Sequence, residues 1–203
     1  PDWFWTWNEI SKERIEYLDN NSLSGLNATI SGYKFLERYD KSRIQQFDVL
    51  ITLQPLFFNQ PTYLQYFVLK LIKDYKNISW VIKPHPKHTN RDLIKIEKIF
   101  SFKNVNIKKQ KNIFELFKQC KLHITEFSST AYEGLYFNVP TVFTNHIAAE
   151  EFPDEIKNKL FYISTDYEDF KKKVFELLNK NIEENLFDNA DRNYIDLFPI
   201  NQK

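Results

Sequence analysis

The stretch Lys121–Asn145, KLHITEFSSTAYEGLYFNVPTVFTN, decides how the chain is read. Leu122–Thr125 has the apolar character of a buried strand. It runs into Glu126-Phe127-Ser128-Ser129, and a helix then starts near Thr130 and carries Glu133. A turn at Asn138-Val139-Pro140 leads to a second strand, Thr141–Thr144. A strand that empties into small hydroxyl residues at a helix start is an anion site. Unpaired N–H groups and the positive end of the helix dipole converge there. Ser128 and Ser129 can bind a phosphate through hydroxyl and backbone N–H groups. Local capping is the plainer use of such a loop. Thr130-Ala131-Tyr132-Glu133 fits a capping box, with Glu133 reaching back to the Thr130 N–H. That box leaves both serines available. A nucleophilic serine is disfavoured, because no Gly-x-Ser-x-Gly elbow surrounds them.

Upstream, the same strand-then-helix rhythm repeats. Phe47–Leu53 is a buried strand ending at Gln54-Pro55, and Thr62–Tyr75 is a helix. Ile78–Ile82 is a second buried strand, ending in Lys83-Pro84-His85-Pro86. An amphipathic helix over Asn90–Phe100, a short strand Val105–Ile107 and an Asn112-capped helix Ile113–Cys120 follow. Downstream, His146–Leu160 is mostly helical with a break at Pro153, Phe161–Ser164 is a strand, and Ser164 or Thr165 caps a helix Tyr167–Leu178. Near-continuous apolar strands alternating with helices predict an α/β fold: a Rossmann-like parallel sheet with helices on both faces. Ligands of such sheets bind beyond the carboxyl ends of the strands. That rule selects three loops, at Gln54-Pro55, His85-Pro86 and Glu126–Ser129.

The flanks read differently. Trp3–Trp7 is an aromatic strand, Glu9–Leu18 a helix, Asp19–Leu26 a loop and Asn27–Ser31 a short strand. Gly32 permits a sharp turn, Tyr33–Tyr39 can form a turn or two of helix, and Asp40–Gln46 is a linker. The expected division is residues 1–31 as the end of a preceding half or a linker, 32–180 as the Rossmann-like domain, and 181–203 as a partly helical tail.

Composition sets the bounds. The 203 residues suit one large domain, and 42% hydrophobic residues with 19 Phe and 11 Tyr supply a core. A net charge of +1, from 28 basic and 27 acidic residues, gives no electrostatic footprint for nucleic acid. The single cysteine, Cys120, allows no internal disulfide and fits a reducing, cytoplasmic setting. No apolar run is long enough to span a membrane. Pro1-Asp2-Trp3 lacks the basic start of a signal peptide, and the absence of any Met suggests a piece of a longer chain.

His85 is the sharpest chemical candidate. Prolines on both sides hold the backbone, and Pro86 biases His85 to an extended conformation. Its imidazole can donate to a phosphate or protonate a departing one, or it can be an incidental surface group. Lys83 and Lys87 either add positive charge or are ordinary solvated lysines. Glu133 is either a cap or an acceptor for a ribose hydroxyl. Glu126 either faces a ligand or pairs with a lysine, and Asn145 either closes the pocket or caps the next helix. His88, His123 and His146 read as packing or surface residues, His123 as a core or interface histidine. No spacing resembles a metal site, so no metal or cofactor is expected. Neither GxGxxG nor GxxxxGK[ST] occurs.

Ile82-Lys83-Pro84-His85-Pro86, Thr125-Glu126-Phe127-Ser128-Ser129, Tyr132-Glu133-Gly134 and Asn138-Val139-Pro140 together resemble the C-terminal half of a GT-B glycosyltransferase. The resemblance covers roughly residues 27–164. It is to the bacterial surface-polysaccharide group with paired HP and SS motifs. That group includes sialyl- and polysialyltransferases, capsule Kdo transferases and CDP-glycerol glycerophosphotransferases. The last carry a similar KPHP and a TDYSS, where this chain has TEFSS. The resemblance implies a domain that binds a nucleotide-linked donor, often CMP- or CDP-linked, with no cofactor. His85 would contact the donor phosphate or assist its departure, and Ser128 and Ser129 would bind it. Gln54, Pro55, Lys83, Pro86, Glu126, Thr130 and Glu133 complete the expected donor site. The base acting on a glycan acceptor would come from an N-terminal GT-B half, and the whole enzyme could sit at the inner face of the membrane. Two rivals remain: a GT-B-like scaffold without donor binding, and half of a UDP-sugar 2-epimerase-like enzyme.

Overall fold

The computed structural model describes residues 2–6, 12–13, 15–16, 26–30, 36, 38–55 and 64–180. The chain forms two compact units, Pro1–Asp40 with Phe187–Lys203, and Lys41–Leu186. In the first, β1 (Asp2–Thr6) pairs in parallel with β2 (Leu26–Ile30), Asp2 opposite Leu26. The expected helix over Glu9–Leu18, the loop after it, the turns following Gly32, the start of the Thr62–Tyr75 helix and the tail 181–203 lie wholly or partly outside the described residues.

The second unit is built on a six-stranded, all-parallel sheet. Its strands are β3 (Val49–Thr52), β4 (Trp80–Lys83), β5 (Val105–Ile107), β6 (Leu122–Thr125), β7 (Thr141–Phe143) and β8 (Phe161–Ile163). The spatial order is β5-β4-β3-β6-β7-β8. The chain thus builds outward from β3 in one direction, then returns to β3 and builds outward in the other. The reversal lies between β3 and β6, where Val49 faces Leu122 and Leu50 faces His123. Successive connections leave to opposite faces at this switch point, opening a crevice at the strands' carboxyl ends.

Helices α1 (Tyr66–Asp74), α2 (Asn90–Ile99) and α7 (Tyr167–Asn179) cover one face. Val68, Leu71 and Ile72 of α1, Ile96 of α2 and Phe170, Val174 and Leu177 of α7 pack on Val49, Ile51, Trp80, Ile82, Leu122, Ile124 and Val142. Each such side chain contributes on the order of 1.5–3 kcal/mol on burial. The alternate strand residues face the other way, toward α3 (Ile113–Phe117), α4 (Thr130–Tyr136), α5 (Ile147–Glu151) and α6 (Pro153–Lys157). On that side Phe117 meets His123 edge-on at 5.0 Å, and Phe143 stacks on Phe152 at 4.9 Å. Gly134 lets α4 come close: a Cβ there would sit 3.1 Å from the Phe117 ring and 3.3 Å from Thr141 Oγ1. The helix ends in a Schellman turn. Asn138 takes φ 55°, its N–H donates to Leu135 O, and Val139 N–H donates to Gly134 O. This explains the Asn-Val-Pro turn.

Three local expectations are corrected. Thr130 does not begin a capping box. Ser129 is the N-cap, with a helical backbone and no side-chain cap bond, and the Thr130 N–H donates to Ser128 Oγ at 3.3 Å. The last helix is capped by Asp166, which accepts from Asp169 N–H at 3.0 Å, rather than by Ser164 or Thr165. The helix after Asn112 ends at Phe117 rather than Cys120. Among the described residues, no helix is long and apolar enough to cross a membrane.

Candidate functional site

A cavity of about 390 Å³ opens at the carboxyl ends of β3 and β4 and reaches the loop after β6. That volume suits a small-molecule ligand. Thr52 and Leu53 come from the end of β3, Lys83, Pro84, His85 and Pro86 from the end of β4 and the loop after it, Ser128 from the β6–α4 connection and Thr130 from the first turn of α4. Lys111, Asn112 and Ile113 close it at the start of α3. Of the expected residues, Lys83, His85, Pro86, Ser128 and Thr130 are brought together here. Gln54, Pro55, Glu126, Ser129 and Glu133 do not line the cavity. Thr52, Lys111 and Asn112 were missed. Thr52 carried a signal, being the polar residue that closes a buried strand. Lys111 and Asn112 sit next to a three-residue edge strand, and only the folded sheet brings them round to His85.

His85 is held by its own loop. The Lys87 N–H donates to His85 Nδ1 at 3.1 Å, and the His85 N–H donates to His88 Nδ1 at 3.0 Å. With Nδ1 accepting, the proton of neutral His85 resides on Nε2. Burial, with the charges of His88 and Lys87, pushes its pKa below the ordinary value. At neutral pH the ring is therefore a neutral Nε2–H donor. An anion bound beside it would favour the protonated form and work against that shift.

Positive charge comes from two lysines that also brace the walls. Lys83 Nζ donates to Lys109 O at 2.7 Å, and Lys111 Nζ to Gln119 Oε1 at 2.6 Å. Each ammonium has three protons and so retains donors beyond these bonds. Burial lowers the pKa of Lys83. Among the described residues no carboxylate lines the cavity. Two lysines, a histidine and hydroxyls, with no opposing acid among the described residues, can together attract an anion.

Ser128 accepts twice from Thr130, from its N–H at 3.3 Å and its hydroxyl at 3.0 Å. Its own proton is thus left to donate. Because α4 has two turns only, its dipole offers an anion less than the side-chain donors do. Ser129 is exposed at the helix start.

Glu126 turns inward and is 1% exposed. Its Oε1 accepts from Gln65 N–H and the Thr144 hydroxyl, both at 3.2 Å, and its Oε2 from Asn145 Nδ2 at 3.0 Å. Burial raises its pKa against the pull of these bonds. It ties the start of α1 to the end of β7, with no lysine among these partners. Asn145 is not the N-cap of α5, a position that His146 holds; it lies one residue earlier, and its Oδ1 accepts from Ile147 N–H at 3.1 Å. Gln54 acts in the same structural way, its Oε1 accepting from Phe127 N–H at 3.3 Å across the switch point.

Strand order, the switch-point crevice and the strand-end residues define a Rossmann-like α/β domain of the kind seen in GT-B glycosyltransferases and sugar-nucleotide epimerases. The chain belongs to the LIC12162 family of transferases, whose profile matches residues 48–162, more than half of its length. No curated protein sequence matches it. It is similar in structure to a putative UDP-N-acetylglucosamine 2-epimerase from Listeria monocytogenes, with TM-score 0.62 and 14% identity over 95% of this chain and 55% of that one. The S. aureus MnaA–UDP co-structure gives 0.58 and 14%, over 91% of this chain and 55% of that one. The wall teichoic acid polymerase TagF gives 0.59 and 10%, over 97% and 54%. At these identities the likeness is one of fold. The chain spans about half the length of each of these proteins.

Proposed function

We propose that this chain is the donor-binding half of an inverting GT-B transferase that moves a sugar or polyol phosphate from a nucleotide-linked donor, CMP- or CDP-linked first, to a surface glycan. The observation that carries the reading is the convergence of His85, Lys83, Lys111 and Ser128 on a cavity at the switch point that no carboxylate lines among the described residues. Membership in a transferase family supports the class of reaction. An acceptor hydroxyl attacks the donor's reactive centre, and the bond to the donor phosphate breaks with its electrons passing to the departing nucleotide. The acceptor's proton goes to a base outside this unit. Negative charge grows on the departing phosphate, where His85 Nε2–H, the Ser128 hydroxyl and the two ammonium groups can meet it. No cofactor enters this reading.

A thermal-shift panel with CMP, CDP, UDP and GDP tests it. A rise in midpoint with CMP or CDP supports the donor assignment, and no shift with any of the four argues against a nucleotide site. A preference for UDP would favour the second reading, an epimerase-like half. The UDP and UDP-GlcNAc complexes among the fold neighbours give that reading its weight.

A further inference from the structure

Five side chains form an unbroken polar line from the core to the cavity. Thr141 Oγ1 lies 3.0 Å from His123 Nδ1, and His123 Nε2 lies 2.9 Å from Thr52 Oγ1. Thr52 Oγ1 lies 3.4 Å from Thr130 Oγ1, which donates to Ser128 Oγ at 3.0 Å. Thr141 and His123 are fully buried, whereas Thr52, Thr130 and Ser128 line the cavity. Strand register makes the line. His123 faces Thr141 across β7 and Leu50 across β3, so Thr52, two residues beyond Leu50, shares the face of the sheet that His123 occupies.

With the Thr130 hydroxyl donating to Ser128, one arrangement of protons gives every link both a donor and an acceptor. Ser128 Oγ takes the Thr130 N–H and the Thr130 hydroxyl proton, which fills its acceptor capacity. The Thr130 proton is then committed, so Thr52 must donate to Thr130. The Thr52 proton is then committed, so His123 must carry its hydrogen on Nε2. His123 Nδ1 is left to accept from Thr141. Burial keeps the ring neutral by lowering its pKa to about 3, so it holds a single proton on one nitrogen. With the Thr130 proton given to Ser128, an Nδ1–H tautomer of His123 would take the Thr52 proton and leave none between the Thr52 and Thr130 oxygens.

We infer that Thr141, His123, Thr52, Thr130 and Ser128 form a one-way donor chain that turns the Ser128 hydroxyl proton into the cavity to bind an anionic phosphate oxygen, with His123 as the positioning residue that sets its direction. The inference rests on the reading of this cavity as a phosphate site. Its loosest step, Thr52 to Thr130, is the one that should tighten when a ligand oxygen draws on Ser128, since such bonds are often long before a ligand arrives. Bonds in a chain of this kind polarise one another, so the last donor is stronger than an isolated serine.

Two measurements test it on the 203-residue chain. Imidazole nitrogen NMR of the unliganded protein should show His123 as the Nε2–H tautomer; an Nδ1–H tautomer overturns the chain whatever the cavity binds. Titration with CDP and with inorganic pyrophosphate should show Thr52→Val weakening both by ~3- to 10-fold, and Thr52→Ser holding within about twofold. His123→Gln, whose side-chain amide can donate where Nε2–H does, should keep the affinity that His123→Leu loses. Wild-type affinity in a folded Thr52→Val overturns the proposal. If the wild type binds neither probe while His123 is Nε2–H, the phosphate reading of the cavity fails, and the donor role of Ser128 with it.

Discussion

The backbone N–H of Lys87 donates to Nδ1 of His85 at 3.1 Å, and this bond decides which nitrogen of His85 can serve a ligand. The prolines on either side hold the loop in which it forms. Loss of the imidazole removes the donor but little packing, since His85 is partly exposed at the cavity wall. In the complete enzyme, His85→Ala is expected to lower turnover by ~100-fold or more, with expression and thermal midpoint close to wild type. Steady-state kinetics beside a melting curve check this, and near-wild-type turnover would sink the donor assignment.

Glu126 braces its loop from within and does not line the cavity. Its two oxygens accept from Gln65, Thr144 and Asn145. Glu126→Gln keeps the shape but sets an amide N–H against one of these donors, at a cost of about 1–3 kcal/mol. Denaturant unfolding should show that loss, and nucleotide affinity should stay within about threefold. Unchanged stability with a tenfold weaker nucleotide complex would instead place Glu126 against the ligand.

Much of the fold was legible because parallel strands buried on both faces are written as short apolar runs. Val105–Ile107 and Leu122–Thr125 fall where the pattern put them, and the other sheet strands differ at their ends by one to three residues. The site was legible where it followed from strand ends, as at His85 and Ser128. It was not legible where it depended on sheet order. Nothing in the chain from β3 to β6 announces that these two strands lie side by side, so Thr52 reaching His123 and Thr130 could not be read. The capping box failed for a related reason: Ser128 competes for the same Thr130 N–H, and a spacing rule does not see the competitor. The strand pattern makes His123 a core or interface histidine, and it is fully buried, but the hydroxyls at both its nitrogens come from strands 71 residues upstream and 18 downstream.

The buried histidine also sets the acid limit of the fold. The His123 pKa falls from its ordinary 6.5 to about 3 because burial penalises the charged ring. Below pH 6.5 the unfolded chain binds a proton that the folded one refuses, so stability is full above that pH and declines as pH falls toward 3. The loss is on the order of a few kcal/mol across this window. His85 and His88 shift the same way but are partly exposed, so solvent screens their contributions. At the other end, burial raises the Cys120 thiol from 9.0 to about 12. Its stabilisation holds below pH 9.0 and is lost as pH rises through about 12. Chemical denaturation at pH steps from 4 to 8 should therefore show an acid limb that begins near 6.5. His123→Gln removes the titrating ring while keeping a donor toward Thr52, so its stability should vary much less over the same steps. An equally steep acid limb in that variant would assign the loss to the surface histidines and carboxylates instead.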